Sequence, residues 1–238
     1  MKLDILAIGA HPDDIELSCG GTILSHIAQG HKVGILDLTR GELGTRGTAE
    51  TRASEAEAAA KILGVSVREN AGFADGFFIN DKAHQLEIIK YIRKYKPDVI
   101  LTNAIHDRHP DHARAAQLTE DAVFLSGLSK VETMLNGVAQ KPFRPRTVFH
   151  YIQSLDVTPD LAVDISLFFD RKIEAIRAYK TQFHDPDSKE PDTFISSPEF
   201  LDFIKARAVH FAVPLGVTYA EGYTIKRHIG VYNLKDIF

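Results

Sequence analysis

Gly9-Ala10-His11-Pro12-Asp13-Asp14-Ile15-Glu16 is the stretch that decides how this chain is read. Residues 3–8 before it are apolar apart from Asp4 and read as a buried strand. Gly20-Gly21 and the apolar-periodic segment 22–28 follow, and that segment reads as a helix. A strand that ends in one histidine and two aspartates ahead of a helix puts ionisable groups at the carboxyl edge of a sheet. Open α/β sheets bind their ligands there.

The pattern repeats outward from that stretch. Residues 32–38 form a second strand, 39–47 a polar, glycine-rich loop at the same edge, and 48–63 an alanine-rich helix stopped by Gly64. A third strand starts at 65–67 and is cut short by Glu69 and Asn70; 71–81 is a loop. Residues 84–95 have helical spacing ended by Pro97, 98–102 are a fourth strand, and loop 103–110 leads to a helix at 111–125. Beyond an irregular stretch at 134–145, strands are expected at 147–152 and 161–165, helices at 166–179 and 198–211, and a surface loop at 183–197. The tail, 218–238, shows no clear element, and its Tyr232 and Phe238, with Phe77, Phe78 and Phe194, are candidates for closing a site or meeting another subunit. Alternating strands and helices indicate a mostly parallel sheet with right-handed crossovers. The expectation is a Rossmann-like α/β fold forming a single domain over residues 1–238.

Composition narrows the class. With 44% hydrophobic and 25% charged residues the chain is an ordinary globular protein. A net charge of −4 gives no general reason to bind nucleic acid or an anionic membrane. The single cysteine, Cys19, excludes an internal disulfide and fits a reducing cytoplasm. Asp4 inside the first apolar run argues against a secretory leader, and no apolar run approaches the roughly 20 residues that span a bilayer.

A second cluster, His109-Pro110-Asp111-His112, also follows a strand and a short polar loop, so both clusters belong to one edge. A catalytic zinc site takes three His, Asp or Glu ligands and leaves a fourth position for water. His11, Asp14 and His112 supply that set, Asp13 remains free as a base, and His109 remains free to face a substrate. Zinc lowers the pKa of bound water to about 7, a free carboxylate takes the proton as that water attacks a carbonyl, and an imidazole opposite stabilises the oxyanion or protonates the leaving amine. Either cluster alone also reads as turn chemistry, with an aspartate capping the next helix; the pair favours the metal.

The sequence resembles the LmbE-like, or PIG-L, zinc N-acetylglucosamine deacetylases in Ala10-His11-Pro12-Asp13-Asp14-Ile15-Glu16 and His109-Pro110-Asp111-His112. Residues 41–52 resemble that family's loop after the second strand, and Asp75-Gly76, residues 178–183 and Tyr219-Ala220-Glu221-Gly222-Tyr223 are similar to the branch that deacetylates N-acetylglucosaminyl malate in bacillithiol biosynthesis. The resemblance implies His11, Asp14 and His112 as ligands of one Zn²⁺, which Fe²⁺, Co²⁺ or Mn²⁺ can replace. It also implies Asp13 as general base, His109 as oxyanion-stabilising or acid partner, and Arg52 as a contact to the polar end of the substrate. A cytoplasmic homo-oligomer, up to a hexamer, is implied as well. A short anionic aglycone such as malate would suit Arg46 and Arg52.

Other assignments stay open on sequence alone. Arg52 also reads as a helix-surface arginine paired with Glu55, Arg46 as a solvated loop residue, and Glu16 either as support for the site or as helix surface. Asp111 holds an imidazole, caps its helix, or does both; Tyr151 and Tyr179 either reach the site or pack; Cys19 is most simply a small buried residue. The remaining histidines lack ligand spacing. Besides the malate conjugate, the readings in play are deacetylation of a chito-oligosaccharide or another N-acetylglucosamine conjugate, a non-hydrolytic nucleotide-binding module, and a non-catalytic metal-binding protein. Gly9, Gly20 and Gly21 do not form a dinucleotide fingerprint, because His11 and Pro12 stand where phosphate-cradling glycines are needed.

Overall fold

The structure, a computed structural model, describes residues 1–183 and 188–236. Part of the expected loop at 183–197, with His184, and the last aromatic, Phe238, lie outside the described residues. The elements in chain order are β1 (Ile5–Gly9), α1 (Asp14–Ala28), β2 (Val33–Thr39), α2 (Ala49–Leu63), β3 (Val67–Phe73), α3 (Lys82–Tyr95), β4 (Val99–Thr102) and α4 (Pro110–Ser126). A two-residue hairpin follows, β5 (Met134–Leu135) with β6 (Val138–Ala139). Then come β7 (Thr147–Tyr151), β8 (Leu161–Asp164), α5 (Phe169–Arg177), α6 (Phe200–Ala212) and β9 (Ala220–Thr224).

The main sheet has the order β3-β2-β1-β4-β7-β9-β8. Strands β3, β2, β1, β4 and β7 are parallel to their neighbours, and β9 runs antiparallel to both β7 and β8. Period-two alternation sends the side chains of β1 to two cores. Leu6 and Ile8 pack with Ile88, Ile92 and Leu118 of α3 and α4. Ile5 and Ala7 pack with Ile15, Ile23 and Ala175 of α1 and α5. Chain order reverses at the β1–β4 pair, so the loops leaving these two strands diverge and open a crevice. His11 to Asp14 follow β1 and residues 103–112 follow β4. The fold therefore brings together two clusters about a hundred residues apart in sequence.

Several sequence expectations change. The helix expected from residue 22 begins at Asp14, so Gly20-Gly21 lies inside α1. The helix breaks at Cys19 (φ −139°), and the Glu221 carboxylate accepts from the Gly21 and Thr22 amides at 2.9 and 2.7 Å, as an N-cap would. Gly21 is required there because a Cβ would meet the Ile165 side chain at 2.7 Å. Lys172 pairs with the same carboxylate at 2.6 Å. Cys19 is fully buried.

Strand β3 runs to Phe73 despite Glu69 and Asn70. It is an edge strand, where polar groups find partners: Glu69 holds Lys94 at 2.5 Å, and Asn70 donates to the Thr39 carbonyl at 2.6 Å. The tail contains β9, a central antiparallel strand whose Glu and Gly obscured it. Residues 166–168 precede α5 rather than belonging to it, and the irregular stretch holds the β5–β6 hairpin.

Candidate active site

The turn after β1 is strained. Asp13 is the N-cap of α1 with φ 110°, a region that costs a non-glycine residue on the order of 1–3 kcal/mol and persists where surroundings impose it. The strain turns neighbouring carboxylates to different partners. Asp13 accepts from Arg52 Nη2 at 3.0 Å. Asp14 faces the histidines: its Oδ1 lies 3.1 Å from His112 Nε2 and its Oδ2 3.6 Å from His11 Nδ1. Both Asp14 oxygens are fixed from behind, Oδ2 by Asn103 Nδ2 (2.9 Å) and the His11 amide (3.0 Å), Oδ1 by Gln153 Nε2 (3.0 Å).

Each imidazole facing Asp14 has its other nitrogen held by acids. His11 Nε2 donates to Asp75 at 3.0 Å and lies 3.3 Å from Asp111. Asp75 and Asp111 are themselves positioned by the Leu43 and Gly76 amides, at 2.9 and 2.8 Å. His112 Nδ1 donates to Asp107 at 2.6 Å, and Asp107 also receives the Ser154 and Leu155 amides. His109 caps α4, its Nδ1 accepting from the Asp111 amide at 3.2 Å. Its ring centroid is 4.7 Å from that of His11 and 5.1 Å from that of His112.

Among the described residues, His11, His109 and His112 each bring a nitrogen within 4.8 Å of the others, and His11, Asp75 and Asp111 make a second such group. The second group is His11 with the acids that orient it. A metal-binding histidine characteristically donates its distal N–H to a carboxylate, which fixes the tautomer. His11 and His112 both do so while presenting the opposite nitrogen to Asp14. This donor set, two oriented imidazoles and a carboxylate, fits a divalent cation of the zinc type.

The electrostatics follow the packing. Burial pulls the His11 pKa down, but Asp111, Asp14 and Asp75 outweigh it and hold the imidazole well above its ordinary range. For His112 burial is likewise outweighed, by Asp14 and Asp107, and the pKa rises to about 9. Burial would raise Asp14, yet His112 and His11 hold it well below the usual carboxylate range. Asp13 behaves oppositely: burial raises it to about 7, against the pull of Arg52. Burial and the positive charges of His11 and His112 lower His109. Two adjacent aspartates are thus pushed apart in basicity, the pattern of a carboxylate ligand beside a proton acceptor.

These groups line a cavity of about 480 Å³ that also includes Arg46, Arg52, Gln153 and Arg207. Arg52 is buried rather than on the helix surface, and Glu55 bonds Thr181 instead. The Arg52 guanidinium donates to Asp13, the Pro12 carbonyl and the Gly41 carbonyl, leaving Nε without a partner. Gly41 (φ +65°) has to be glycine, since a Cβ would collide with that guanidinium. Arg46, also buried, bonds Ser188 at 2.7 Å and lies 3.6 Å from Glu190.

Glu16 points away from the cavity, into an ion pair with Arg68 at 2.6 Å. Tyr151 and Tyr179 are fully buried behind the site, bonded to the Ile8 carbonyl and to Glu16. Asn103 follows an apolar strand and is marked in the sequence by that position, whereas Asp107 and Gln153 carry no local mark and act through partners distant in the chain.

The model of the PIG-L family, described as GlcNAc-PI de-N-acetylase, matches residues 6–123. A diacetylchitobiose deacetylase of Thermococcus kodakarensis is 29% identical over 92% of this chain and 81% of its own length. A 4-oxalmesaconate hydratase of Pseudomonas putida is 27% identical over 75% of this chain and 74% of its own. The crystal structure of the conserved protein TT1542 from Thermus thermophilus superposes with a TM-score of 0.87 at 36% identity, covering 98% of each chain. The chain belongs to the PIG-L family and is a hydrolytic N-deacetylase. Among the described residues no helix is long and apolar enough to cross a membrane.

Proposed function

We propose that this enzyme removes the N-acetyl group from an N-acetylglucosaminyl conjugate, with N-acetylglucosaminyl L-malate the substrate of first choice. The observation that carries the reading is the division between Asp13 and Asp14, adjacent residues aimed at different partners over one cavity. The family description and the chitobiose-deacetylating relative support an N-acetylglucosamine substrate. A cavity of about 480 Å³ suits a ligand of sugar-conjugate size.

His11, Asp14 and His112 would hold one divalent ion, zinc by preference with Fe²⁺, Co²⁺ or Mn²⁺ as substitutes, which supplies Lewis acidity and makes water acidic enough to attack at neutral pH. Asp13 takes the proton of the attacking water. Burial raises its pKa above that of an exposed aspartate, which makes it the stronger proton acceptor of the adjacent pair. His109, across the cavity, steadies the developing oxyanion or delivers a proton to the sugar nitrogen as the C–N bond breaks. Arg52 and Arg46 face the polar end of the substrate; among the described residues Arg52 Nε has no hydrogen-bond partner, and Arg46 Nε has the Glu190 carboxylate at 3.6 Å. A cytoplasmic homo-oligomer completes the reading, and light scattering tests the assembly.

The hydratase relative favours one other reading, addition of water to an unsaturated acid. Purified protein is assayed side by side on N-acetylglucosaminyl malate, diacetylchitobiose and an unsaturated dicarboxylate. The malate conjugate should be deacetylated most efficiently. Preference for chitobiose sinks the malate assignment, and hydration without acetate release sinks deacetylation.

A further inference from the structure

The cavity wall carries a positive charge to which the proposed mechanism gives no task. Arg46 and Arg52 each have a carboxylate, Glu190 at 3.6 Å and Asp13 at 3.0 Å. Arg207, on α6, differs. Among the described residues no carboxylate oxygen lies within 4.0 Å of its guanidinium, and the hydrogen bond it makes is from Nη2 to the Leu17 carbonyl, at 2.9 Å. The guanidinium lies 5.6 Å from the Phe203 ring centroid. Burial lowers its pKa to about 10, with Glu221 and Asp107 opposing from beyond pairing distance, so it is charged at neutral pH. A half-buried cation in such a wall costs free energy until an anion meets it.

A second group with unused capacity stands next in the chain to Leu17. Ser18 lines the same cavity at 3% exposure, and its hydroxyl has no hydrogen-bond partner. It lies one helical turn beyond Asp14, on the same face of α1. The catalytic end of the cavity is crowded with carboxylates (Asp13, Asp14, Asp75), so an acidic substrate needs a compensating cation away from them.

We propose that Arg207 and Ser18 form an acid-recognition subsite in the active-site cavity, which binds a carboxylate or phosphate on the non-sugar part of the substrate. A guanidinium fork matches either group with two parallel hydrogen bonds. The proposal rests on the deacetylase reading above and assigns its specificity to α6 and α1.

Steady-state acetate release is measured on three conjugates: N-acetylglucosaminyl malate, N-acetylglucosamine 1-phosphate and the neutral methyl glycoside of N-acetylglucosamine. In wild type at least one acidic conjugate should be preferred. In Arg207→Met the acidic-to-neutral ratio of kcat/KM should fall about 10- to 100-fold, the worth of hydrogen bonds to a charged group. Most of that loss should sit in KM, with partial recovery in Arg207→Lys and a smaller loss in Ser18→Ala. Whichever acidic substrate loses more identifies carboxylate or phosphate as the ligand. An unchanged ratio, with all three substrates slowed alike, overturns the proposal and leaves Arg207 as a tether for Leu17. A wild-type preference for the neutral glycoside also overturns it. No acetate from any of the three overturns the deacetylase reading, and the subsite with it.

Discussion

The His11–Asp14–His112 cluster and the Glu16–Arg68–Asp37 cluster share the first turn of α1, where Asp14 and Glu16 stand two residues apart, and both are nearly closed to solvent. In the second, Arg68 spends its donors on Glu16 at 2.6 Å, on both Asp37 oxygens at 2.7 and 2.9 Å, and on the Ala56 carbonyl. Tyr179 adds a hydrogen bond to the same Glu16 oxygen, Oε1, while Oε2 is buried without a partner among the described residues. In the first, carboxylates outnumber fixed cations, and the imidazole nitrogens not held by acids converge on Asp14 beside a cavity. Burial raises a carboxylate pKa in both places, at Asp37 and at Asp13. A perturbed pKa is therefore not what separates site from scaffold. Nor does a neighbouring cavity separate them, since Asp37 and Arg68 line one of about 500 Å³; the separation lies in imidazole nitrogens converging on a carboxylate, where Asp37 and Arg68 spend their charges on each other.

The sharpest way to break this contrast is Asp13→Asn. Turnover should fall about 10²- to 10⁴-fold, the range for loss of a general base, while metal content and the unfolding midpoint stay near wild type. Retained activity would make Asp13 scaffold. The converse variant is Arg68→Met, which leaves Glu16 and Asp37 buried without their cation. Denaturant unfolding should show a loss of about 3–5 kcal/mol, the usual result of removing one partner of a buried pair, with kcat per folded molecule little changed. Normal stability with lost activity would erase the distinction.

A smaller effect sharpens the catalytic side. Asp107→Asn should weaken metal binding about 10- to 100-fold in equilibrium dialysis, because the carboxylate orients His112. Unchanged affinity would mean that the Asp14 contact alone orients that ring. The smallest is Tyr151→Phe. Its hydroxyl serves the Ile8 carbonyl, so about 1 kcal/mol of stability should be lost, and turnover should hold. A large kinetic defect would carry the site back through β1.

Both halves of the site could be located from sequence because apolar strands β1 and β4 end in unusual polar runs, and the crossover rules place such ends at one edge. What stayed hidden depends on partners remote in the chain. Strand β9 reads as polar because Glu221 is buried against Lys172 and the α1 break, 49 and about 200 residues away. Strand β3 looked short because Glu69 and Asn70 are satisfied across the sheet edge by Lys94 and Thr39. The early start of α1 was masked by Gly20-Gly21, which are tolerated because Glu221 caps the break and Ile165 fills the space above Gly21. Asp107 and Gln153 carry no local signal, since an acid or amide in a loop has a task only once its imidazole or carboxylate is in place.

The most direct test is acetate release from N-acetylglucosaminyl malate, followed as a chelator-stripped preparation is titrated with Zn²⁺. The proposed mechanism predicts no release from stripped protein and full recovery at about one ion per chain, the occupancy of a single three-ligand site. Full activity in rigorously stripped protein, or no acetate at any zinc level, would contradict it.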